Sequence, residues 1–65
     1  MISQETAKLF LNKFVRIYIE DKKLFGRIIF VNDTDIIIEN KRYGQSVRSL
    51  STIDGIDLLG DEYDE

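Results

Sequence analysis

The stretch Leu24-Phe25-Gly26-Arg27-Ile28-Ile29-Phe30-Val31-Asn32-Asp33-Thr34-Asp35-Ile36-Ile37-Ile38-Glu39-Asn40 decides how this chain folds. Its first run places apolar residues on both faces of an extended chain, Leu24, Ile28 and Phe30 on one and Phe25, Ile29 and Val31 on the other, which predicts a strand over 24–31. Gly26 interrupts it, and a Gly inside a strand marks a sharp bend or a close approach of another backbone. A long, bent, doubly apolar strand is what a small closed barrel needs at its corner. Asn32-Asp33-Thr34 has turn composition, and the three consecutive isoleucines that follow predict a strand over 35–40 covered on both sides.

Upstream, Val15, Ile17 and Ile19 alternate with Arg16, Tyr18 and Glu20, the period of a half-buried strand. Before it, Ala7, Phe10, Leu11 and Phe14 form one helical stripe. Ser3 is placed to cap the helix N-terminus, and Glu5 lies in its first turn, so a helix over 4–12 is expected. Downstream, Lys41-Arg42-Tyr43-Gly44-Gln45 reads as a loop, 46–50 as a fourth strand, 51–55 as a turn and 56–59 as a fifth strand. There is no room for crossover helices, so the sheet is antiparallel. The fold class expected is mainly β: an N-terminal α-helix followed by a strongly bent five-stranded antiparallel small barrel, partly open.

Sixty-five residues support one modest core, expected as a single domain over 1–60 with an acidic, mobile tail at 61–65. With no Cys and no His, disulfides, thiolate zinc sites and the usual proton shuttle near neutral pH are all excluded. There is no Gly-rich phosphate loop and no metal-ligand spacing. Asp33 and Asp35 flank a turn where short polar side chains are expected anyway. The chain therefore reads as a non-enzyme without a cofactor or a metal. No apolar run approaches the roughly 18 residues of a membrane span, and a soluble, cytoplasmic protein with no membrane partner is expected. Chains this short commonly gain stability by oligomerising.

The net charge is −3, unevenly spread. Asp54, Asp57, Asp61, Glu62, Asp64 and Glu65 fill residues 54–65 with no base among them, leaving nine bases against six acids over 1–53. The body is mildly basic. The acidic end reads either as a solubilising segment or as a nucleic-acid mimic that folds back onto basic surface.

The 24–40 stretch resembles the first motif of the Sm-like superfamily, which includes archaeal and eukaryotic Sm proteins and bacterial Hfq: a Gly in a bent second strand, alternating hydrophobes, an acidic turn and a third apolar strand. Ser49-Leu50-Ser51-Thr52-Ile53-Asp54-Gly55-Ile56-Asp57-Leu58-Leu59 is similar to its second motif, and with Phe10-Leu11-Asn12 the resemblance covers nearly the whole chain. It implies an SH3-like barrel, a homo-oligomeric ring of six or seven subunits joined through the fourth strand of one and the fifth of the next, and binding of single-stranded RNA in RNA metabolism or riboregulation. Val47, Leu50, Leu58 and Leu59 lie on those two strands and are the expected interface residues. The chain departs from the pattern at Ile36, where the family has a base-reading Asn, and at Asp54, where it has an Arg.

The candidate RNA-binding residues are Arg16, Tyr18, Arg27, Lys41, Arg42, Tyr43 and Arg48. Single strands are held by charge along the backbone and by flat side chains on which bases stack. Tyr43, between Arg42 and Gly44, reads equally as a ring packed at a subunit contact, since interfaces favour Tyr and Arg. The alternative function is an oligomeric structural or protein-interaction module of the same fold that binds little RNA and captures a protein partner.

Overall fold

The computed structural model describes residues 1–60. The alternation after Lys13 becomes strand β1 (Phe14–Ile19), with Val15 and Ile17 buried. A left-handed Glu20 (φ 66° is Asn12's value, 55° is its own) turns the chain into β2 (Lys22–Val31), followed by β3 (Asp35–Asn40), β4 (Gly44–Ser49), a 3-10 turn over Leu50–Thr52, and β5 (Gly55–Gly60). A short helix, α1 (Gln4–Lys8), precedes them. The protein is thus mainly β, with five antiparallel strands in one open sheet of order β4-β3-β2-β1-β5. The segment 61–65, expected to be a mobile tail, lies outside the described residues.

Ser3 caps α1 by accepting a hydrogen bond from the Thr6 backbone N–H at 3.1 Å. The helix stops at Lys8, four residues short of the expected end, because Asn12 turns left-handed and donates its N–H to the Ile28 carbonyl at 2.7 Å. Leu11 bridges β2 at Ile28. The helical stripe is therefore divided. Ala7 is fully buried and Phe10 packs against the core, whereas Phe14 belongs to β1 and faces away from it.

The core comprises Ala7, Val15, Ile17, Ile28, Ile36, Ile38, Leu50 and Ile53. Each large aliphatic side chain buried there contributes about 1.5–3 kcal/mol by removing apolar surface from water. The isoleucine triplet divides by strand geometry: Ile36 and Ile38 point inward and Ile37 outward. Ile29 takes up a register shift, so that Ile28 pairs with Ile38 while Phe30 pairs with Ile37. Gly26 is needed for closeness, since a Cβ there would lie 2.5 Å from the Glu39 carbonyl oxygen. At the β2–β3 turn, the Asn32 side-chain oxygen accepts from the Thr34 and Asp35 N–H groups at 2.9 and 2.6 Å, an Asx turn. Asp35 accepts from the Thr34 hydroxyl.

Candidate nucleic-acid interface

Residues in register share a face of the sheet, and this sorts the candidates. Arg16 and Tyr18, one step out of phase with buried Val15 and Ile17, stand on the outer face of β1. There Arg16 lies opposite Asp57 of β5, and Tyr18 opposite Lys23 of β2. The Arg16 guanidinium donates to Asp57 Oδ2 at 2.7 Å and the Tyr18 hydroxyl donates to the same oxygen at 2.6 Å. Arg16 also sits 5.4 Å from the Tyr18 ring centroid. The two hydrogen bonds, that from Arg16 first, hold the Asp57 carboxyl below its ordinary value, and the bond to Asp57 raises the Tyr18 phenol. A base and an aromatic expected to meet RNA are thus already engaged with a carboxylate.

Arg27 faces Phe14 on one side, 5.6 Å from its ring centroid, and Glu39 on the other at 3.9 Å. That ion pair is exposed and long, so it adds little to stability. Arg48 lies apart from the others. It pairs in register with buried Ile36, which puts it on the core-facing row of β4, where its Nε is buried without a hydrogen-bond partner among the described residues.

Lys41, Arg42 and Tyr43 form the β3–β4 turn. Asn40 builds it: its side-chain oxygen accepts from the Arg42 and Tyr43 N–H groups at 2.7 and 2.9 Å, and its amide donates to the Phe25 carbonyl at 2.8 Å. Gly44, at φ +76°, closes the turn in the left-handed region that a side chain resists. The result is an open groove of about 520 Å³ lined, among the described residues, by Lys23, Phe25, Asn40, Lys41, Arg42 and Tyr43, with Leu24 at its wall and no carboxylate among them. Tyr43 is 71% exposed, and the Arg42 guanidinium lies 6.0 Å from its ring centroid. A second groove of about 340 Å³, lined by Phe14, Arg27 and Glu39, shares Asn40 and Lys41 with the first.

Lys23, Phe25 and Asn40 did not emerge as site residues from the sequence. The signal for Asn40 was present, since an Asn entering a short loop closed by Gly is a residue that bonds the backbone two or three positions on. Lys23 and Phe25 join the groove only through β2–β3 pairing. Asp54 has a local role: its side chain accepts from the Glu20 N–H at 2.9 Å and its own N–H donates to the Tyr18 carbonyl at 2.7 Å, which anchors the β1–β2 turn.

Among the described residues β4 and β5 each pair on one side only. On them, Val47 is 65% and Leu58 57% exposed, while Leu59 is half-buried and Leu50 is a core residue. Among the described residues no group of three or more Asp and Glu side chains converges as a metal site, and no helix is long and apolar enough to cross a membrane. Comparison with family models, with curated proteins and with solved structures finds no match to this chain.

Proposed function

We propose that the chain is a non-enzymatic, Sm-like subunit that assembles edge to edge and binds single-stranded RNA at the β3–β4 turn. The observation that carries the binding half is the groove in which Lys23, Lys41 and Arg42 surround Phe25 and Tyr43, with no carboxylate in its lining among the described residues. Phosphates need the charge, and bases need an exposed ring, each stack being worth about 1–3 kcal/mol. The assembly half is supported by the sheet order. Among the described residues it leaves β4 and β5 as the sheet's edges, the two strands that the resembled family joins into hexameric or heptameric rings, and unpaired edges invite a neighbouring strand. Such a ring closes by head-to-tail contacts, and the sheet in this reading is the small barrel of that family. Arg48 lies on the core-facing row of β4 and is left out of this binding surface.

Titration of labelled oligo(A) and oligo(U) by fluorescence anisotropy tests this. Binding is expected at low salt with a log–log salt slope of about −2, three bases each releasing about 0.7 counterion from a single strand. Combined replacement of Lys23, Lys41 and Arg42 by Ser is expected to abolish it while light scattering still shows an oligomer. No binding of either oligomer at low salt, by the whole chain and by a chain ending at Gly60, overturns the RNA assignment. The alternative, a structural module that captures a protein partner, is favoured by the engagement of Arg16 and Tyr18 with Asp57 and by the departures at Ile36 and Asp54. On that reading assembly persists and no RNA is bound.

A further inference from the structure

We infer that the outer face of the β2–β3 pair docks against the same face of a second copy of this chain, about a two-fold axis that runs along the strands. Strand register lays out that face. One row across the sheet is apolar: Phe30, Ile37 and Val47 are partners in register on β2, β3 and β4, out of phase with the buried Ile36 and Ile38. Phe30 and Val47 are exposed and Ile37 is half-buried, so no described residue closes over the row. The next row is charged and polar, with Phe14, Arg27, Glu39 and Gln45 side by side on β1 to β4. Arg27 and Glu39 are 3.9 Å apart, and the Arg27 Nε is buried without a hydrogen-bond partner among the described residues. The pair therefore has bonding capacity that the chain itself leaves unused.

The order of the charges decides the occupant. Two sheets packed face to face keep their strands within about 30° of alignment and lie about 10 Å apart. Under a two-fold axis between the faces, midway between β2 and β3, each β2 lies over the β3 of the other copy. Phe30 of each copy then meets Ile37 of the other, and Arg27 of each meets Glu39 of the other, so four charges alternate in sign around the axis. A face of one sign would repel its own copy; this one is complementary to itself, the condition for a closed, isologous dimer. The apolar row excludes water beside the charges, which strengthens each contact between them. Three apolar side chains from each copy bury less than the roughly 800 Å² per partner of a stable complex, so the dimer forms and dissociates with concentration. The backbone edges of β4 and β5 and the groove at Lys23, Arg42 and Tyr43 lie outside the contact, and the inference depends neither on edge assembly nor on RNA binding.

The test is amide NMR and sedimentation equilibrium of the full chain from about 10 µM to about 1 mM, the range in which so small an interface titrates. Raising the concentration is expected to shift the amides of Phe30, Ile37 and Glu39, which lie on inner strands of the sheet, and Ile37→Ser is expected to weaken association about tenfold. Arg27→Glu and Glu39→Arg, each alone, set like charges against one another across the axis and should each weaken it about tenfold. Mixed in equal amounts, the two variants restore opposite charges at both contacts and should associate within about threefold of the parent chain. A role of the pair inside one chain would not be rescued by mixing, since neither variant regains its own pair. The pair is exposed and long, so both variants keep the fold, which circular dichroism checks. Shifts confined to Gly44–Ser49 and Gly55–Gly60 mark edge contacts and overturn the inference. So do outer-face amides that stay fixed across the series, which would leave the face to a different partner. Charge variants that associate as the parent does, or a mixture no tighter than its components, overturn it as well.

Discussion

Arg16 with Tyr18 and Arg42 with Tyr43 are two arginine–tyrosine pairs of similar appearance in the sequence, and the fold treats them in opposite ways. In the first, a carboxylate 41 residues away in the chain is brought into register and accepts from both side chains at once. In the second, the turn projects its base and ring beyond the end of the β3–β4 ladder, beside Lys23 and Phe25, and no carboxylate among the described residues lines the space. An arginine beside an aromatic is thus a structural clamp where strand pairing supplies an acid, and a candidate binding element where it does not.

The sharpest way to break this comparison is to disturb the strand that both regions share. Gly26→Ala drives a Cβ into the Glu39 carbonyl, and forcing atoms into such a space costs about 1–3 kcal/mol. Urea denaturation should show the loss, and amides of both regions should shift together; shifts in one region alone would mean that they are not held by a common sheet. Asn40→Ala acts on the turn only. Two backbone N–H groups lose their acceptor and the Phe25 carbonyl loses a donor, which should cost about 1–2 kcal/mol and speed hydrogen exchange at Arg42 and Tyr43, with the Arg16 cluster undisturbed.

The functional contrast is narrower. Tyr43→Ala should weaken oligonucleotide binding about tenfold, one lost stack of about 1.4 kcal/mol, whereas Arg16→Ser should leave it within about twofold, a few tenths of a kcal/mol. Equal effects would erase the distinction between clamp and binding element. The smallest expected effect is on pH dependence. Asp57 titrates below its usual 3.8 because Arg16 and Tyr18 bond its charged form. Its contribution to stability is therefore complete above that value and is lost as the pH falls through the lowered one. Urea midpoints measured from pH 5 downward should fall less steeply in Asp57→Asn than in the parent chain. In the same variant the Tyr18 phenol should titrate closer to 10.0, because the bond to Asp57 is the main cause of its rise, as ultraviolet absorbance would show.

Much of the architecture was legible from local pattern. Period-two burial at Val15 and Ile17, the Asn32-Asp33-Thr34 turn and the Ser3 cap each follow from interactions within a few residues, which a linear reading can reach. The end of α1 was not legible. Its stripe continued to Phe14, but the Asn12 N–H found a partner in Ile28, and a long-range hydrogen bond outweighed the propensity of a short, marginal helix. The burial of Leu50 was equally hidden, since it depends on the 3-10 turn after β4 and on backbone bonds to the distant Thr34 and Ile2.

The sequence by itself determined the order of elements, the inward and outward phase of β1 and the division between a mildly basic body and an acidic end, because these depend on spacing and composition alone. Only the tertiary structure decided which charges cancel and which converge. Asp57 meets Arg16 and Lys23 comes to line one groove with Arg42 through the pairing of strands, and register is set by the sum of contacts over the whole sheet and by no residue's own neighbours.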